Sequence, residues 1–111
     1  MGIDYLDMTL RLEERFGVRL HVEDFFEVRL KRKMTLEEIK NYSRENARPD
    51  FTAGEVAEAI GNKLRARIGS GDPWTEDEVW RGVQRVVAET VQVEPAKVTR
   101  ESRLVKDLGF T

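Results

Sequence analysis

The pattern Thr-x-x-Glu occurs three times in this chain, at Thr35 with Glu38, Thr52 with Glu55 and Thr75 with Glu78. In such a capping box the threonine hydroxyl accepts from an orphan N–H of a helix's first turn, and the carboxylate reaches back to the threonine's own N–H. Each box opens a helical pattern. Apolar residues recur at steps of three and four after Thr52 (Val56, Ala57, Ile60, Leu64) and after Thr75 (Val79, Val83, Val86, Val87, Val91). Valine is a modest helix former, so this last helix must be held by packing rather than by propensity. Another helix runs from Ile3 to Phe16 and stops at Gly17, a residue suited to the left-handed conformation just past a helix end. Only Val18 to Val22 and Gln92 to Val98 read as extended, and neither has an evident partner. The expectation is an all-α fold, a small bundle with irregular loops.

Composition narrows the function classes. The 111 residues, 40% apolar and 36% charged, suit one domain with one core. There are no cysteines, so disulfides and thiolate metal sites are excluded. The one histidine, His21, lies between Leu20 and Val22 and reads as a partly packed loop residue rather than a ligand or base. Nineteen basic residues against twenty-one acidic give a net charge of −2, which argues against nucleic acid or a membrane surface as partner. No 18-residue apolar run exists and the N-terminus, MGIDYLD, has no signal-peptide pattern, so a cytoplasmic location is expected. Arg29, Lys31, Arg32 and Lys33 could form a phosphate-binding patch, but without interleaved aromatics they read as a solvated turn. Gly69, Ser70, Gly71 and Pro73 mark Ile68 to Trp74 as a connection, and its GSGDP lacks the lysine of a phosphate cradle. No constellation for an enzyme is present.

The first helix carries two apolar stripes. Tyr5, Met8, Leu12 and Phe16 make one, a natural core seam against Val79, Val83, Val86 and Val87, with Val56 and Ile60 closing the other side. Ile3, Leu6 and Leu10 make the second, bordered by Asp4, Asp7, Glu13 and Glu14. A helix in a small bundle needs only one buried stripe. Either this helix is central and buried on both sides, or the second stripe is exposed to a partner with a basic surface.

The segment GIDYLDMTLRLEERFGVRL, Gly2 to Leu20, resembles the second helix of acyl carrier proteins, and VWRGVQRVVAETVQVEPAKVTRESRLVKDLG, Val79 to Gly109, resembles that family's first helix and following loop with its Asp-Leu-Gly at Asp107, Leu108 and Gly109. Written end to beginning without Met1, KDLGFT runs into GIDYLD with the family's spacing intact. The halves stand in reversed order. The resemblance implies one carrier-like domain over 1–111. Residues 1–28 would hold family helices II and III, 29–50 an insertion with an extra helix, 51–68 helix IV, 69–74 the connection, and 75–111 helix I with its loop. Circular permutation, helix exchange in a dimer, and a stretch cut from tandem domains each account for this order. A permuted monomer requires Gly109 to Thr111 beside Gly2 and Ile3.

The resemblance further implies a carrier of acyl intermediates in fatty-acid or polyketide-type synthesis, held on 4′-phosphopantetheine. Its partners would be a phosphopantetheinyl transferase and acyl-processing enzymes, recognising Ile3, Asp4, Leu6, Asp7, Leu10, Glu13 and Glu14. The family's attachment serine corresponds to Gly2, which has no side chain to modify, and its preceding residue to Thr111; Ser43, Ser70 and Ser102 lie outside the motif. The cofactor is therefore not expected on this chain. The alternative is a non-loading interaction module that keeps the recognition helix.

Overall fold

Capping chemistry sets most of the helix starts. In the computed structural model, which describes residues 3–45, 50–66 and 74–110, Thr52 Oγ1 accepts from Glu55 N–H at 3.1 Å while Thr52 N–H donates to the Glu55 carboxylate at 2.9 Å. Thr35 and Glu38 exchange the same two bonds. Thr75 Oγ1 accepts from Glu78 N–H, but the Glu78 carboxylate meets the Thr75 hydroxyl at 3.1 Å, so this box forms through side chains on its return arm. The described residues hold α1 (Ile3–Phe16), α2 (Val22–Leu30), α3 (Leu36–Glu45), α4 (Ala53–Arg65) and α5 (Glu76–Val91), and no strand. The fold is all-α.

α5 packs between α1 and α4, and α2 lies on the other side of α4. The seam residues Tyr5, Met8, Leu12 and Phe16 are all buried, as are Val79, Val83, Val86, Val87, Val56 and Ile60. Close approach at the α1–α5 contact depends on Gly82, where a Cβ would stand 2.7 Å from Phe16 Cζ. Phe16 also meets Trp74 edge-on, with 4.9 Å between ring centroids. Gly17 takes φ 66°, and its N–H closes α1 on the Glu13 carbonyl.

Phe51, fully buried just ahead of α4, is an aromatic hub that no helical period marks. Its ring meets Phe26 at 4.9 Å, Phe25 at 5.5 Å and Tyr5 at 6.4 Å. The Arg29 guanidinium lies over it at 4.8 Å.

Four expectations need correction. Gln92 to Val98 is not extended throughout: Gln92 ends α5 at φ 58° and Pro95–Lys97 form a 3-10 turn. The Gln84 amide stabilises that turn by donating to the Pro95 and Val98 carbonyls. Val18 to His21 does alternate buried and exposed residues, but Val22 already begins α2. His21 is an exposed helix cap rather than a packed loop residue, with its N–H donating to the Asp24 carboxylate at 2.8 Å. The basic run is only partly a solvated turn, because Arg29 binds Glu55 through two nitrogens (2.9 and 2.7 Å) and Arg32 pairs with Glu38. The Ile68 to Trp74 connection lies outside the described residues except for Trp74.

Candidate functional site: the outer face of α1 and the terminal loop

Helical spacing places Ile3, Leu6 and Leu10 opposite the buried seam, and all three are exposed, at 78%, 61% and 55%. α1 is therefore not buried on both sides. Three apolar side chains on successive turns form a contact strip facing solvent.

The acidic border is less uniform than the spacing implies. Glu14 is exposed and Asp4 half-buried. Asp7 pairs with Arg11 one turn on, at 3.1 Å, and Arg11 also reaches Glu89 of α5 at 3.6 Å. Glu13 departs furthest, because its carboxylate accepts from Leu20 N–H at 2.8 Å. The left-handed turn at Gly17 brings the chain back over α1 and delivers that amide to Glu13, so this acid holds the α1–α2 loop.

Beyond the 3-10 turn, the terminal loop runs antiparallel to residues 51–54. Ala53 N–H donates to Ser102 O, Gly54 N–H to Arg100 O, and Leu104 N–H to Phe51 O, each at 2.9 Å. Thr52 and Arg103 form an isolated antiparallel bridge. Gly54 is required here, because a Cβ would lie 2.8 Å from the Arg100 carbonyl oxygen. Ser102 is buried and its Oγ accepts from Thr99 N–H at 2.9 Å, so this hydroxyl is part of a turn.

Asp107, Leu108 and Gly109 form a second turn. The Asp107 carboxylate accepts from Arg103 N–H at 2.8 Å, Leu108 packs on the core, and Gly109 takes φ 75°. The next residue, Phe110, is buried and its ring contacts Tyr5 in the first turn of α1. The structure thus brings the Asp-Leu-Gly turn to the same end of the bundle as the start of the exposed strip. Gly2 and Thr111 lie outside the described residues, as does Ser70. Whatever its surroundings, a glycine at position 2 offers no oxygen to esterify, so the residues present do not fit a phosphopantetheine attachment there.

Sequence reasoning missed the polar cluster beneath this region. Tyr5 Oη accepts from Phe51 N–H at 3.2 Å, and burial pushes its phenol up to about 12 despite that bond. Arg29 is held above its ordinary value by its hydrogen bonds to Glu55. Burial works against the Glu55 charge, but Arg29 and the Thr52 N–H outweigh it and the carboxyl falls below its ordinary value. The capping box marks Thr52 and Glu55 locally, but nothing in the sequence links them to Tyr5 or Arg29, which lie far apart in the chain.

Among the described residues, no group of three or more histidine, aspartate or glutamate side chains is placed to hold a metal ion. No helix there is long and apolar enough to cross a membrane. No protein-family model matches the sequence, and no solved structure matches the fold.

Proposed function

We propose that this chain is an acyl-carrier-like domain of the cytoplasm that works by docking the outer face of α1 on protein partners. The observation that carries this reading is the exposure of Ile3, Leu6 and Leu10 on a helix whose opposite face is fully used by the core. Apolar contact there supplies affinity, while Asp7 and Glu14 supply orientation toward a basic surface. Through its resemblance to carrier proteins, with the halves in permuted order, the domain would hold acyl intermediates of fatty-acid or polyketide-type synthesis on 4′-phosphopantetheine. A phosphopantetheinyl transferase and acyl-processing enzymes would be its partners.

Gly2 favours a second reading, a non-loading interaction module that keeps the recognition helix and has no covalent role. The two are separated by intact mass after incubation with a transferase and coenzyme A. The expected result is no gain on the wild type and a phosphopantetheine gain on Gly2→Ser. A gain on the wild type would place the nucleophile elsewhere, with Thr111 the first to examine; no gain on either chain leaves the non-loading module.

A further inference from the structure

Asp50 belongs to no helix and no motif. Its two carboxylate oxygens accept from successive amides of the terminal loop, Val105 N–H at 2.9 Å and Lys106 N–H at 3.3 Å. Its carbonyl accepts from Arg29 Nη2 at 2.6 Å. The adjoining Phe51 donates its N–H to the Tyr5 hydroxyl and accepts at its carbonyl from Leu104 N–H. This dipeptide therefore touches α1, α2 and the terminal loop at once.

We infer that Asp50 is a positioning residue whose carboxylate sets the Asp107-Leu108-Gly109 turn in register with the start of α1. Up to Leu104 the loop is bonded to residues 51–54 through backbone groups. Beyond Leu104, among the described residues, the bonds of Asp107, Leu108, Gly109 and Phe110 close within the loop, on Arg103, Val105 and Leu104. Those bonds give the turn its shape and tie it to residues 51–54 only indirectly, through Arg103 and Leu104. Leu108 and Phe110 bury apolar surface, which is attractive but non-directional. Among the described residues, the direct hydrogen-bonded tie from the segment beyond Leu104 to the rest of the protein is the Asp50 carboxylate, and hydrogen bonds to an ionised acceptor are stronger than neutral ones. Resting on the carrier reading, the consequence is that Asp50 also governs how the Asp107-Leu108-Gly109 turn is presented to a transferase.

The test compares the full-length chain with Asp50→Ala and Asp50→Asn, each alone and combined with Gly2→Ser. In Asp50→Ala, amide exchange at Val105 and Lys106 accelerates about tenfold or more, while Ile60 and Val83 keep their protection. The NMR cross-peaks between the Tyr5 and Phe110 rings weaken. Asp50→Asn, which keeps one oxygen for Val105, restores protection there more than at Lys106. In the Gly2→Ser background, Asp50→Ala lowers the kcat/KM of transferase loading from coenzyme A by about tenfold through misplacement of the turn. Unchanged ring cross-peaks and unchanged exchange at residues 105 and 106 would overturn the inference. Equal loss of protection at Ile60 and Val83 would also overturn it, by showing a purely structural role. If Gly2→Ser never loads but the ring contact depends on Asp50, the carrier reading falls and the positioning role stands. If it loads equally with and without Asp50 although the ring contact is lost, the link to transferase recognition is overturned.

Discussion

The ring of Phe110 stands edge-on against that of Tyr5, with 5.3 Å between centroids and 72° between planes. This contact joins the terminal loop to the first turn of α1, so residues far apart in the chain meet at that end of the bundle. Tyr5 also contacts Phe51, whose N–H its hydroxyl accepts. Two distant segments therefore converge on one tyrosine.

Replacing Tyr5 with Phe keeps the rings and removes the acceptor for a buried N–H. The expected cost is about 1 to 3 kcal/mol. The phenol is raised to about 12 from an ordinary 10. Its contribution is therefore complete below pH 10 and is lost as pH rises toward 12. Urea midpoints from pH 8 to 12 should fall at the alkaline end in the wild type and fall less in Tyr5→Phe.

The two faces of α1 should respond very differently to truncation. Phe16→Ala removes a buried ring packed on Trp74 and should cost about 3 to 5 kcal/mol. Leu6→Ala, on the exposed face, should stay within about 0.5 kcal/mol. Equal losses in denaturant unfolding would remove the argument for a free strip.

Two glycines of α4 should diverge in sign. Gly54→Ala drives a Cβ onto the Arg100 carbonyl and strains the amide bond made there, at a cost of about 1 to 3 kcal/mol. At Gly61 a Cβ meets only the flexible Arg65 guanidinium, at 3.3 Å. Arg65 is exposed and can move aside, so Gly61→Ala should stabilise by up to about 1 kcal/mol through helix propensity. Thermal melts of the two variants would check both signs.

Acid should weaken both Arg–Glu ties. The Glu38 carboxyl is held down to about 2, from an ordinary 4.5, by the Arg32 guanidinium and by Thr35 N–H. A group depressed in the folded chain contributes fully above its unfolded value and loses that contribution as pH falls through its folded value. Glu38 therefore gives up its share between pH 4.5 and about 2, and Glu55, also depressed, behaves with the same sign. Glu38→Gln and Glu55→Gln should each flatten the acid limb of stability against pH, read from urea midpoints between pH 7 and 2.

What the sequence discloses and what it hides follow a physical divide. Caps and seams are local, so Thr52 with Glu55 and the steps from Tyr5 to Phe16 announce themselves within a turn or two. Contacts between distant segments leave no periodic trace: nothing near Asp50 points to Val105, and nothing near Arg29 points to Glu55 or the Phe51 ring. The 3-10 turn was hidden by the alternation of Val91 and Val93 just ahead of it, although Pro95 at its start is a helix-opening signal. His21 escaped as a cap because histidine is not among the usual capping residues. In the candidate site, the surplus stripe of Ile3, Leu6 and Leu10 was legible but periodicity left burial and exposure equally open, and the diversion of Glu13 to Leu20 depended on a chain reversal that spacing does not encode.

α1 divides its side chains so that no large apolar residue serves both faces: Tyr5, Met8, Leu12 and Phe16 belong to folding, and Ile3, Leu6 and Leu10 do not. A change at Leu6 or Leu10 is close to invisible to the folding equilibrium and visible chiefly to whatever binds there. On the proposed docking role, binding preference can diverge at three positions while thermal stability stays nearly constant. For the same reason, redesigning this helix toward a new partner begins with almost the whole stability of the parent intact.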